Sequence, residues 1–141
     1  MKYKKISSFP LFISGQEGYH TFRIPALITL PNGRILAFAE GRRLDANDAG
    51  DIDLVLKISD DGGQTFGPLK VVAASGGNTA GNPCPIYDKS TGQVVLMFNR
   101  NQSDGHQNAI EAGKSARTVH ITFSADGGDT WQPERDITVQ T

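Results

Sequence analysis

Ser59-Asp60-Asp61-Gly62-Gly63-Gln64-Thr65-Phe66 returns further along the chain as Ser124-Ala125-Asp126-Gly127-Gly128-Asp129-Thr130-Trp131. The shared pattern, Ser-x-Asp-Gly-Gly-x-Thr-aromatic, is too specific to arise twice by chance in 141 residues. Each copy follows a strand-like run, Asp53 to Ile58 and Thr118 to Phe123, and leads through a proline into another, Pro68 to Val72 and Pro133 to Val139. That context makes the motif a hairpin turn. An aspartate accepts turn N–H groups, two glycines take up positive φ, and the ring packs under the loop. Ser59, Asp61, Gly63, Thr65 and Phe66, with Ser124, Asp126, Gly128, Thr130 and Trp131, are therefore read as turn architecture, the two rings as core. A calcium site of Asp60, Asp61 and Asp126 is the rival, but it lacks the spaced string of oxygen ligands that calcium requires.

Upstream of the motif the repeat continues. Arg23 to Phe38 lines up with Asn82 to Met97, pairing Arg23 with Asn82, and about six extra residues enter the second copy between Arg100 and Arg117. Each copy then holds four strands, predicted at 23–30, 34–40, 52–58 and 68–74, and at 83–88, 93–99, 117–123 and 134–140. Sixteen glycines and seven prolines punctuate these runs, and none keeps a helical period. The chain reads as all-β, and four hairpin-linked antiparallel strands repeated in tandem describe β-propeller blades. Blade one is expected at 19–76 and blade two at 77–141. Residues 1–18 form a lead-in, with Lys4 to Ser14 an outer strand for the last blade. Two blades cannot close a ring, which needs about four or more. The expectation is the N-terminal part of a longer protein, or a ring completed by association.

Composition narrows the function. Fourteen basic residues against fifteen acidic ones leave a formal charge of −1, without the electrostatic footprint of a nucleic-acid binder. The single cysteine, Cys84, has no partner for an intrachain disulfide and reads as a small buried hydrophobe. No apolar run reaches transmembrane length. The basic start Met1 to Lys5 precedes a run broken by Pro10 that is not read as a signal peptide, so compartment stays open.

Arg23 heads the apolar run Ile24 to Leu30, where its planar fork could hold a carboxylate or simply serve a surface ion pair. Phe22-Arg23-Ile24-Pro25, with Leu36-Ala37-Phe38-Ala39-Glu40-Gly41-Arg42 and the two Ser-x-Asp-Gly-Gly motifs, resembles the exo-α-sialidases (neuraminidases) from about Tyr19 onward. In that family the motifs are Asp boxes, or BNR repeats, and the fold is a six-bladed propeller. The resemblance implies that Arg23 is the first of three arginines clamping the sialic acid carboxylate. It places the acid/base aspartate in the loop from Arg42 to Asp51, where Asp48 matches best and Asp45 and Asp51 are alternatives. Arg42 would reach the pocket near the carbon-4 substituent, or else pair with Glu40, and Asn82 would line the N-acetyl pocket. The implied reaction is retaining hydrolysis of terminal sialic acid from glycoproteins, glycolipids or oligosaccharides, with no metal and no organic cofactor. Relatives are often secreted or periplasmic.

The family's nucleophilic tyrosine, its glutamate partner and two further arginines have no match here. Tyr3, Tyr19 and Tyr87 do not fit that context, so these residues alone are expected to be inactive. Two rivals remain: a non-catalytic Asp-box propeller that binds glycans or proteins, and a propeller glycosidase or lyase acting on another sugar. His106 and Glu111 belong to a polar loop too poor in ligands for a metal, and Lys114 and Arg117 are placed at the edge of the site or on the surface.

Overall fold

A computed structural model describes residues 8–141. The strands are β1 (Thr21–Thr29), β2 (Ile35–Arg42), β3 (Ile52–Ser59), β4 (Lys70–Ala73), β5 (Thr79–Asp88), β6 (Gln93–Asn101), β7 (Arg117–Ser124) and β8 (Arg135–Asp136). They form two antiparallel meanders, β1–β2–β3–β4 and β5–β6–β7–β8. A single parallel pair, Ile52 with Thr79, joins the meanders into one sheet. The all-β reading holds, and each of these eight strands overlaps the run expected of it.

Alternation explains the core. Leu36 and Phe38 of β2, Leu54, Leu56 and Ile58 of β3, and Val94, Leu96 and Phe98 of β6 point to one side of their strands and form a single buried cluster across both meanders. The other side of β2 and β3 carries Ala39 and Val55, covered by Tyr19, with Phe12, Phe22 and Leu69 packed against them. β1 and β5 present Ile24, Leu27, Cys84 and Ile86 outward, Leu27 at 61% exposure. Cys84 is thus exposed, contrary to its reading as a buried hydrophobe, because it lies on the uncovered side of β5.

Four further expectations change. Residues 8–18 form turns and bends, not a strand, and the earlier part of that run lies outside the described residues. The polar insertion contains one helical turn, α1 (Gln107–Glu111). β8 stops at Asp136, and Thr138–Gln140 turn into a 3-10 helix. Asp136 captures the backbone N–H of Thr138 at 2.8 Å, a side-chain bond that competes with the ladder. Phe66 lies outside the core and packs half-buried against Phe9, whereas Trp131 meets Phe38 edge-on at 5.9 Å.

The two Ser-x-Asp-Gly-Gly turns repeat the same bonds. The Gly63 N–H donates to Ser59 Oγ at 2.8 Å, and Asp61 Oδ1 accepts from the Thr65 N–H at 2.9 Å. Ser124, Asp126, Gly128 and Thr130 reproduce both contacts. Gly128 has φ +94°, and a Cβ there would come within 3.0 Å of Leu36. These carboxylates are engaged by their own turns. The Thr65 hydroxyl, then its N–H and the Ser59 hydroxyl, hold Asp61 down to about 2, and the matching groups hold Asp126 well below the usual carboxylate range. Because the folded value lies below the unfolded one, about 3.9, this stabilisation is full above that pH and fades as pH falls toward 2. The Tm of the chain is expected to drop more steeply between pH 5 and 2 than that of the Asp61→Asn/Asp126→Asn variant, by calorimetry.

Arg34 ties the turns together. Its guanidinium meets Asp60 and Asp129, each at 2.6 Å, and donates to the Gly127 carbonyl at 3.2 Å. Charge-assisted bonds contribute about 1.5–3 kcal/mol each at best, less where exposed. Arg34→Ala is expected to lower the urea unfolding free energy by ~1–3 kcal/mol, read from the midpoint at constant slope.

Candidate active site

The first strand of each meander carries a β-bulge. On β1 the pairing jumps from Arg23–Glu40 to Ala26–Phe38, and on β5 from Gly81–Asn99 to Cys84–Met97. Ile24 and Asn82 each lead a bulge, with φ +51° and +54°. The structural counterpart of Asn82 is therefore Ile24, and that of Arg23 is Gly81, one residue out of step with the sequence alignment. Bulges re-aim neighbouring side chains, and a β-branched residue at positive φ is strained. Arg23 sits immediately before that strained residue.

The loop from Arg43 to Asp51 links β2 to β3 beside this bulge. Its three carboxylates have different surroundings. Asp45 accepts from the N–H and side-chain amide of Asn47, at 2.8 and 2.6 Å. Asp51 accepts from the Ser75 hydroxyl and lies 3.6 Å from Arg43. Asp48 Oδ1 lies 2.8 Å from Arg42 Nη1 and 3.4 Å from Arg23 Nη1. The Asp48 and Arg23 side chains remain 78% and 50% exposed, open to a ligand.

Arg42 is different, with its side chain only 3% exposed. Nε and Nη2 donate to Glu40 Oε2 at 3.1 and 2.7 Å, and Nη1 donates to the Ala46 carbonyl at 2.6 Å. The Arg42–Glu40 pair expected as an exposed alternative is present, but buried. Glu40 Oε1 accepts the Asn82 N–H at 2.9 Å, reaching across to the second meander. A Cβ on Gly81 would stand 2.7 Å from Glu40 Oε1, so only glycine permits that approach. The Asn82 amide donates to Asn99 at 2.7 Å, and Asn99 to Asn101 at 3.1 Å. A continuous polar chain thus runs from Arg23 and Asp48 through Arg42, Glu40 and Asn82 to Asn101.

The structure brings Arg23, Arg42 and Asp48 into contact, with Asn82 joined through Glu40. It keeps Lys114 and Arg117 apart from them; Arg117 bonds Gln107 at 3.3 Å, and Gln107 bonds Glu111. Among the described residues no group of three or more His, Cys, Asp or Glu is placed to hold a metal ion. No helix among them is long and apolar enough to cross a membrane. Glu40 is the residue that the motif reading left aside. Its signal was there: it occupies the inward phase of Leu36 and Phe38, where a carboxylate needs a partner.

The chain belongs to the BNR repeat-like domain family, which it matches over residues 33–141. Its relatives are sialidases. It is 37% identical over 138 residues to an exo-alpha-sialidase of Arthroderma benhamiae, covering 86% of this chain and 34% of that protein. It is 35% identical over 159 residues to an exo-alpha-sialidase of Aspergillus fumigatus, covering 92% and 39%. Among solved structures, the Hadza microbial sialidase Hz136 superposes with a TM-score of 0.78 at 25% identity, over 90% of this chain and 28% of that one. The chain spans about a third of the length of the curated relatives it matches.

Proposed function

We propose that this chain is the N-terminal part of an exo-α-sialidase and supplies two neighbouring blades, residues 19–76 and 77–141 after a lead-in at 1–18, to a six-bladed propeller. The observation that carries the reading is the exposed Arg23–Asp48 pair beside the β1 bulge, in a chain whose relatives are exo-alpha-sialidases. The substrate is a terminal sialic acid on a glycoprotein, glycolipid or oligosaccharide.

Arg23 takes the fixed carboxylate beside the anomeric carbon, where a guanidinium fork gives orientation as well as charge. Asp48 protonates the departing glycosidic oxygen and then removes a proton from the water that releases the sugar, the two uses of one carboxyl in a retaining hydrolase. Arg42, spent on Glu40, Ala46 and Asp48, forms the wall near the carbon-4 substituent and sets the position of Asp48. Asn82, its amide nitrogen held by Asn99, lines the N-acetyl pocket. The tyrosine nucleophile, its glutamate and two further arginines come from the remainder of the protein, so these 141 residues alone are inactive. No metal or organic cofactor takes part.

The test is turnover of a fluorogenic sialoside by the complete protein beside its Asp48→Asn and Arg23→Ala variants. Unchanged turnover in both would sink the assignment.

A further inference from the structure

The loop that carries Asp48 packs little of itself against the core, yet both of its stems end in a buried polar cluster. Asp53, on β3 just beyond the loop, is 1% exposed. Its Oδ2 accepts from the Tyr19 hydroxyl at 2.7 Å and from Arg43 Nη2 at 2.6 Å, and its Oδ1 accepts the Ser75 N–H at 2.7 Å. Three segments distant in sequence thus meet on one carboxylate: the lead to β1, the first residue of the loop, and the β4–β5 connection.

The stems are tied again around it. The Arg43 N–H donates to the Asp51 carbonyl at 3.0 Å, closing the neck of the loop, and the Ser75 hydroxyl donates to the Asp51 side chain. Thr79 both accepts the Gly50 N–H at 3.1 Å and donates to the Gly50 carbonyl at 3.0 Å. The Arg43 guanidinium lies 5.0 Å above the Tyr19 ring, and that ring sits on Gly41, where a Cβ would come within 2.7 Å.

We infer that Tyr19, Arg43, Asp53 and Ser75 are positioning residues for the acid/base step, fixing the stems of the Asp48 loop so that Asp48 is held in register with Arg23 and Arg42. This rests on the sialidase reading given above. The Arg43–Asp53 ion pair joins a buried carboxylate to a side chain 42% exposed, and pairs of this kind add little net stability. What this one supplies is geometry, because each partner lies on a different segment and Asp53 fixes all three. Burial works against ionisation of Asp53, but hydrogen bonds from Tyr19 and Ser75 and the charge of Arg43 outweigh it and keep its carboxyl below the ordinary value. Burial first, then the Asp53 bond, push the Tyr19 phenol far above its usual range, so it stays a donor. A proton donor must be held to about 0.5 Å of its productive position. Arg42 alone, touching the loop at Ala46 and Asp48, does not define its stems.

The test exploits the leaving group. In the complete protein, Tyr19→Phe removes one hydroxyl and leaves the ring on Gly41. The kcat/KM for a sialyl-lactose, which reports the glycosylation step and whose departing alkoxide needs the proton, is expected to fall about 10-fold, a fraction of what acid catalysis contributes. The kcat/KM for 4-nitrophenyl sialoside, whose phenolate leaves unaided, is expected to fall less than about 2-fold on the same ground. Arg43→Lys, which keeps the charge but loses the fork, is expected to act in the same direction. Amide exchange should quicken over residues 43–51 and stay unchanged in β2 and β3. An equal loss on both substrates, no loss on either, or unchanged exchange in the loop overturns the inference. Asp48→Asn, run on the same pair of substrates, judges the acid/base reading separately. If it does not discriminate between leaving groups, that reading falls, while loop exchange in Tyr19→Phe still decides whether the cluster holds the stems.

Discussion

Asp48→Asn in the complete protein is expected to cut turnover of an alkyl-linked sialoside by ~10²–10⁴-fold, the range a positioned general acid contributes. Asparagine keeps the volume and can still face Arg23 and Arg42, so the fold is expected to persist; what disappears is the transferable proton. The loss should therefore shrink as the leaving group improves and nearly vanish in the glycosylation step for a nitrophenyl substrate. It should appear in kcat and not mainly in KM, because the proton moves only in the transition state. Steady-state kinetics across a series of leaving groups, with circular dichroism to show an intact fold, checks both statements. A uniform loss across the series would assign Asp48 to binding.

Arg23→Ala is expected to lower kcat/KM by ~10²–10³-fold, in line with the 2–5 kcal/mol lost when one partner of a hydrogen-bonded charge pair is removed. Arg23→Lys should recover only part of that, since an ammonium restores the charge but not the paired donors. The readout that separates clamp from scaffold is affinity for free sialic acid against its methyl ester, measured by calorimetry. The wild type should strongly prefer the acid, and Arg23→Ala should lose most of that preference. Undiminished discrimination in the variant would place the carboxylate elsewhere.

Much of this arrangement was legible because the turn chemistry is explicit. The doubled Ser-x-Asp-Gly-Gly motif set the strand count, whereas the two faces of β2 and β3 were distinguished only by what covers them. Register at the first strands was less legible. Nothing in Ile24 announces positive φ, so the alignment paired Asn82 with Arg23 when the bulges pair it with Ile24. The three loop carboxylates were equally acidic on paper and became distinct only through their partners, Asn47 for Asp45, Ser75 for Asp51, and two arginines for Asp48. Asp53 looked like the polar start of a strand. Its burial depends on Tyr19 and Ser75, residues that no local pattern links to it. Five residues of helix in the insertion were too few to show a period.

The single parallel pair between the meanders bears on how the chain comes to be made. Ladder pairing within each meander is between sequence neighbours, and only Ile52–Thr79 crosses from one to the other. Local pairing forms early because little chain entropy is lost in closing its loops. The first meander is complete once Ala73 has been synthesised, so it can stand as a template on the ribosome before Val94, Leu96 and Phe98 emerge to cover its apolar side. Assembly then advances in one direction, each meander a surface for the next to crystallise upon. The Glu40–Asn82 contact would close as the second meander begins, and the Arg34–Asp129 contact only once its final turn has emerged.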